Sequence, residues 1–241
     1  MSLENRHSLD DIFHPRSVAV IGASASGPPE AGWVARLLRF GYSGRIYPIN
    51  PRAAEINGLK AYPSVRDIPD AVDYAIFNIP ARLTPQIMQD CAAKGVKVAH
   101  IFTAGFSETG KEEGRKLEKE IVKISKEGNV RVVGPNCFGI YCPASGLTLL
   151  PGANFSKESG NVAFLSQSGG YAERFCQQAK GLGIHFSKVV SYGNACDLNE
   201  TDFMEYLAED SDTRIIALYI EGVKDGQRFL QTVQKANKRK P

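Results

Sequence analysis

The sequence carries little cysteine chemistry. Its five cysteines, Cys91, Cys137, Cys142, Cys176 and Cys196, are odd in number and scattered, and none forms a C-x-x-C pair. That spacing argues against a disulfide framework or a zinc site, and for reduced thiols in a cytoplasmic compartment. No apolar run approaches the ~20 residues that a bilayer span requires. The opening MSLENRHSLDD has no apolar signal core, so neither membrane nor secretion is expected. Charge is nearly balanced, with 29 Lys and Arg against 26 Asp and Glu. The only basic cluster is the terminal Lys235–Lys240 stretch, which weighs against nucleic acid as a partner. There is no low-complexity segment.

What is present is an alternation of strand and helix. A chain of 241 residues with 43% hydrophobic and 23% charged content has the material for two compact domains. SVAVI at Ser17–Ile21 reads as a buried strand stopping at Gly22. A helix is predicted near Glu30–Phe40, with Trp33, Val34, Leu37 and Leu38 at helical spacing. RIYPIN, YAIFNI and VKVAHIF read as further strands. Thr84–Lys94 reads as a helix with Thr84 as cap and Pro85 in its first turn, and Lys111–Glu127 as a charged amphipathic helix before a short strand at Arg131–Val133. This order implies an α/β fold with a Rossmann-type parallel sheet, helices on both faces. The Gly-, Pro- and Ser-rich segment Gly139–Gly160 has no clear period and reads as a domain junction. Beyond it, strands are predicted at Asn161–Leu165, Lys188–Ser191 and Arg214–Ile220, with helices at Gly170–Gly181, Glu200–Ala208 and Asp225–Asn237. The expected domains are 8–145 and 146–241, the second short enough to be a piece of a longer protein.

Two turns carry the chemistry. In VAVIGASASGPPEAGW, the glycines Gly22, Gly27 and Gly32 are five apart, so G-x-G-x-x-G is not met. The physical arrangement survives: a buried strand, a permissive turn and a helix start that offers unpaired amides to an anion. Ser24 and Ser26 add hydroxyls. The next strand ends Ile49-Asn50-Pro51-Arg52, where an NAD-binding domain would usually carry an acid. A cation there suits a ribose bearing phosphate, as in NADP or coenzyme A. The second turn is FLSQSGGY, at residues 164–171. A nucleophile elbow needs G-x-S-x-G, and the first glycine is missing from Ser166-Gln167-Ser168-Gly169-Gly170. The histidines His7, His14, His100 and His185 lack an evident catalytic setting, which disfavours a serine hydrolase. A phosphate cradle built on Ser168, Gly169 and Gly170 fits better.

LDDIFHPRSVAVIGAS, GRIYPINPRA, TAGFSETG, RVVGPNCFGI, GNVAFLSQSGG, VSYGNACDLNETDFMEYLAED and ALYIEGVKDG together resemble the CoA-binding and ligase domains of NDP-forming acyl-CoA synthetases, relatives of the succinyl-CoA synthetase alpha subunit. The resemblance runs from about Leu9 to Gly226. It implies a CoA-binding Rossmann-type domain followed by a partial flavodoxin-like, succinyl-CoA ligase-like domain. It assigns the CoA phosphate loop to Gly22, Ala23, Ser24 and Ser26, and the ribose-phosphate end to Asn50, Pro51 and Arg52. Ile79, Pro80, Phe102 and Thr103 would lie beside the cofactor, and Asn136 and Cys137 near its thiol, with Cys137 not a nucleophile. Glu221, in YIEG, would orient a phosphorylated histidine located beyond this chain. The Pro28-Pro29-Glu30 run departs from the family's usual loop and bears on CoA affinity.

The implied reaction interconverts acyl-CoA, phosphate and ADP with acid, CoA and ATP. ATP, ADP and magnesium would be handled by an ATP-grasp domain or beta subunit absent here. The acyl substrate is a small molecule, the acid itself is open, and a homo-oligomer is compatible with the sequence. The competing readings are a non-catalytic regulatory or scaffolding CoA-binding module and an NADP-dependent oxidoreductase, the latter lacking a candidate proton donor.

Overall fold

The computed structural model describes residues 9–24, 32–149 and 155–241. Strand β1 (Ser17–Ile21) is buried at every position, as a central strand covered on both faces must be. After the glycine turn come α1 (Gly32–Phe40) and β2 (Arg45–Ile49), the latter parallel to β1. A small hairpin, β3 (Glu55–Ile56) and β4 (Leu59–Lys60), turns on Asn57-Gly58, both at positive φ. Next follow β5 (Tyr74–Phe77), α2 (Thr84–Lys94), β6 (Val98–Ile101), α3 (Glu112–Glu127) and β7 (Arg131–Val133). The parallel strands lie in the order β2-β1-β5-β6-β7. Connections therefore run in opposite directions on either side of the β1–β5 pair, which opens a crevice at the strands' carboxyl ends.

Alternate residues serve opposite cores. Val18, Val20, Tyr74, Ile76 and Val98 face Trp33, Val34 and Leu37 of α1. Ala19, Ile21, Ala75 and Phe77 face Met88 and Cys91 of α2 and Ile121 of α3. Thr84 is not the cap that the sequence suggests. A 3₁₀ turn at Ala81–Leu83 runs straight into α2, so Leu83 holds the cap position and Thr84 is already helical. The far end is closed by Gly95 in the left-handed conformation.

The junction segment contributes two strands, β8 (Gly139–Cys142) and β9 (Leu147–Thr148). They join β10 (Val162–Ser166), β11 (Phe186–Ser191) and β12 (Ile215–Tyr219) in a second sheet of order β12-β10-β11-β8-β9. Strands β10, β11 and β12 are parallel, while β8 runs antiparallel to β11. Helices α4 (Gly169–Gly181), α5 (Glu200–Glu209) and α6 (Gly226–Ala236) complete the unit. Asn199 caps α5 with a capping box whose other half is Asp202. β8 and β9 straddle the expected division at 145/146.

The sheets share one core. Val133 of the first and Ile140, Leu165 and Val190 of the second belong to a single apolar cluster. A helical turn at 9–13 fastens them together. Phe13 stacks on Tyr206 at 5.2 Å, and the Tyr206 hydroxyl donates to Asp10 at 2.6 Å. Asp11 pairs with Lys97, and Ser145 donates to the Phe13 carbonyl. Lys188, 1% exposed, reaches Asp210 at 2.8 Å with the Phe13 ring beside it. Asp212 is a second, more distant partner of Lys188 at 3.5 Å, whereas removing Lys188 would leave the Asp210 carboxylate shielded without a cation.

His100 lies in the shared core at 0% exposure, edge-on to Trp33 and Tyr74. Burial pushes its pKa from 6.5 down to about 4. Between those values the unfolded chain binds a proton that the folded chain does not. Stability is thus complete above pH 6.5 and falls as pH drops toward 4, by roughly 3 kcal/mol. Urea unfolding across that range should show this loss, and His100→Gln should remove its share of the slope.

Candidate functional site

The β1 turn is shaped by close packing. Gly22 sits at φ +78°, and a Cβ there would overlap the Asn78 carbonyl and the Ile79 side chain. Its amide and that of Ala23 both donate to the Ile49 carbonyl, at 3.1 and 3.2 Å. These two amides close the turn, so the part that can face a ligand begins at the exposed Ser24. Ser26 lies outside the described residues, as does the Pro28-Pro29-Glu30 run. Asn50 braces the turn from β2: its Nδ2 donates to the Ala23 carbonyl at 2.7 Å, and its Oδ1 accepts from the Arg52 amide at 2.8 Å. Pro51 and Arg52 follow on the open surface.

Across the crevice, the ends of β5 and β6 are locked by one hydroxyl. Thr103 Oγ1 donates to the Ile79 carbonyl at 2.6 Å and accepts from the Ile79 amide at 3.3 Å. Ile79 is half-buried and Pro80 exposed beside it. Phe102 packs edge-on to Trp33 at 5.1 Å and stacks on Phe138 at 5.7 Å. The Asn136 amide donates to the Thr103 carbonyl, and its side chain is exposed toward Asn194. Cys137 differs from its neighbours. Its side chain is 1% exposed, with Sγ 3.6 Å from the Ile101 and Val133 carbonyls, and burial pushes the thiol pKa up. It packs the loop from inside, and its thiol does not reach the crevice.

Residues 134–138 cross from the first sheet to the second, clasped by residues 192–198. Cys196 donates to the Gly134 carbonyl, Asn194 to that of Pro135 and Leu198 to that of Val132. Arg131 and Asp197 form a two-pronged pair at 2.9 and 3.1 Å. Asn194 Nδ2 lies 2.6 Å from Glu108 and 2.9 Å from Glu118, while Lys224 donates to the Asn194 and Ala195 carbonyls. Burial alone would raise the Glu108 carboxyl, but the Gly105 amide and Asn194 hold it below its ordinary value.

The second turn is a helix start. Ser168 caps α4, its Oγ accepting from the Tyr171 amide. The Gly169 and Gly170 amides precede the first intrahelical bond and lie at the positive end of the helix dipole. The two glycines serve different ends. A Cβ on Gly170 would meet nothing within 4 Å, whereas one on Gly169 would stand 2.7 Å from the Phe138 ring. Exposed Glu221 follows β12 on the adjacent strand. Gln167 joins the two: its Oε1 accepts from the Glu221 amide at 2.8 Å and the Gly222 amide at 3.0 Å. The hydroxyl of Ser168, committed to its own helix, is not that of a nucleophile elbow. His185 does contact a serine, Ser156 at 3.1 Å, with Glu158 at 3.4 Å, but these residues precede β10 and β11 at the opposite strand ends.

Gln167, Phe138 and Asn194 are the residues that sequence reasoning passed over. Each lies inside a singled-out stretch, SQSGG, GPNCFG or SYGNAC, so position was the available signal. Two substitutions test the geometry. Gly22→Ala should destabilise the chain by roughly 2–4 kcal/mol in urea unfolding, because both φ and space oppose a side chain. Gln167→Ala should leave stability nearly unchanged and speed amide hydrogen exchange at Glu221 and Gly222 about tenfold, consistent with loss of an ordinary hydrogen bond.

Comparison with known proteins matches residues 16–143 to a CoA binding domain and residues 159–241 to a succinyl-CoA ligase like flavodoxin domain. The alpha subunit of an ADP-forming acetate–CoA ligase II from Pyrococcus furiosus is 45% identical over 97% of this chain and 50% of its own length. An ADP-forming 4-hydroxybutyrate–CoA ligase from Nitrosopumilus maritimus is 36% identical over 95% of this chain and 33% of its own. Among solved structures, the dinucleotide-forming acetyl-coenzyme A synthetase 1 of Ca. Korarchaeum cryptofilum, in complex with phosphate and ADP, superposes with a TM-score of 0.86 at 36% identity, over 97% of this chain and 50% of that one. The chain thus spans half or less of the length of these relatives.

Proposed function

Because the chain belongs to the family of CoA-binding domains, we propose that it is the CoA-holding part of an NDP-forming acyl-CoA synthetase, an acid–thiol ligase. The observation that carries this reading is the meeting of two strand-turn-helix sites. The carboxyl end of the first sheet and the start of α4 are joined by residues 134–138, with Phe138 stacked on Phe102 and touching Gly169. A nucleotide thioester laid along the first would bring its reacting carbonyl toward the second.

In this reading the Rossmann-type unit, 8–145, binds the nucleotide. Gly22 and Ala23 set the turn so that Ser24 meets the diphosphate, with the Ser26 hydroxyl as the further donor that the sequence suggests. Asn50 holds β2's end in place, and Pro51 and Arg52 present a cation to the ribose phosphate, a charge-assisted contact. Ile79, Pro80, Phe102 and Thr103 form a rigid flank for the pantetheine arm, since Thr103 ties both strand ends together. Asn136, exposed and at positive φ, offers its side-chain carboxamide to the thioester end, while Cys137 supports it from below. Coenzyme A supplies the thiol that is acylated.

The unit 146–241 handles phosphate. Ser168 caps the helix so that Gly169 and Gly170 direct amides outward, favouring an anion. Glu221, fixed by Gln167, would accept a hydrogen bond from an imidazole and stabilise its protonated form. That histidine, like the ATP-grasp domain or beta subunit with its ATP, ADP and magnesium, would come from elsewhere in the assembly. The relatives' names carry ADP, acetate in one and 4-hydroxybutyrate in another, so ADP and a small carboxylic acid are the proposed co-substrates.

Calorimetry on the chain tests the first half. CoA should bind, and dephospho-CoA more weakly by about tenfold, as expected for loss of one charge-assisted contact. Arg52→Ala should erase that difference. Equal affinities in the unsubstituted chain would remove the role of Arg52, and absence of CoA binding would overturn the function.

A further inference from the structure

Phe138 bridges the two sites but has no contact with a ligand assigned to it above. It is half-buried at the crossing between the sheets, its amide held by Ser191 Oγ at 3.0 Å. One face of its ring stacks on Phe102, the residue that follows β6. The ring also presses on Gly169 so closely that no Cβ fits between. Gly170, the next residue, borders open space. The ring thus stands at the boundary between the end of the first sheet and the open mouth of the α4 turn.

Sheet geometry sets what must pass this point. From β1, where the diphosphate would sit, to β6 is two strand spacings, about 10 Å. An extended pantetheine arm is longer than that. A thioester anchored at the β1 turn and running along the crevice would therefore be long enough to bring its acyl carbon to Phe102 and Phe138. Beyond lies the α4 turn, where phosphate would wait. The group between these two positions is the acyl group itself.

We propose that Phe138 is the wall of the acyl pocket and restricts this site to short acyl groups. The inference rests on the CoA reading above and adds the substrate class to it. Phe138 packs against Phe102 on one side and Gly169 on another, so the wall cannot swing aside without losing both packing partners. An acetyl or propionyl group lies against the ring edge beside Gly170. A longer or aromatic group meets the ring and is forced into solvent, or displaces it at the cost of overpacking.

The test uses the chain as it stands. Calorimetry compares CoA, acetyl-CoA, hexanoyl-CoA and phenylacetyl-CoA. Acetyl-CoA should bind about as tightly as CoA, and the two bulky thioesters about tenfold more weakly, a size in line with an overpacked contact. Phe138→Ala and the milder Phe138→Leu should bring the bulky thioesters to within a few-fold of acetyl-CoA. Independently of any variant, a labelled acetyl methyl in the bound complex should show nuclear Overhauser contacts to the Phe138 ring protons. If CoA binds but hexanoyl-CoA binds as tightly as acetyl-CoA, or the methyl shows no contact with Phe138, the wall is elsewhere and the proposal falls while the CoA reading stands. If CoA itself does not bind, the functional reading fails first, and the two failures are told apart by that single titration.

Discussion

The architecture depends on a short backbone crossing held by an antiparallel clasp. Residues 134–138 leave β7 and enter the second sheet, and residues 192–198 run beside them, donating to the carbonyls of Val132, Gly134 and Pro135. Buried main-chain groups need partners, and here each side supplies what the other lacks. The Arg131–Asp197 pair and the Lys224 ammonium close the clasp at its edges. Gly193 is part of the same constraint, since a Cβ would overlap the Pro135 and Asn136 carbonyls. With this crossing fixed, the carboxyl ends of the two sheets are set against each other.

Glycine does three kinds of work around that crossing. At Gly22 it lets the β1 turn lie flat against β5. At Gly169 it makes room for an aromatic ring. At Gly170 it leaves an approach open. Only the last matches the simple idea that a glycine-rich turn exists to admit a ligand. The amides of Gly22 and Ala23 already bond to Ile49. Those two amides are therefore spent inside the turn, whereas the Gly169 and Gly170 amides precede the first intrahelical bond of α4.

The far side of the molecule is built for rigidity. Lys188 and Asp210 are both shielded from water, with Thr213 donating to the same carboxylate at 2.6 Å. A pair of this kind contributes little net stability over an apolar replacement, but it penalises any arrangement that separates its members. The turn at 9–13 covers it and touches both units. Relative motion of the two sheets would have to break these contacts and the clasp together. The crevice between them is therefore held at a defined width.

Local patterning determined most of the elements. SVAVI, YAIF and VAHI are strands because continuous apolar runs suit a doubly covered sheet, and α3 follows its amphipathic period. Both strand-to-helix turns were legible from a strand running into Ser and Gly. The strands at Gly139–Cys142 and Leu147–Thr148 were not, because their pairing partners lie at β11 and on each other, and short segments have no period of their own. Nor could the sequence separate Cys137, turned inward, from Asn136 beside it, turned out, since the left-handed φ of Asn136 sets that alternation. The roles of Gln167, Phe138 and Gly169 depend on contacts between residues far apart in the chain. Such contacts exist only once both sheets are docked, so the sequence by itself determined the parts and their chemistry, and the tertiary structure alone decided which of them face one another.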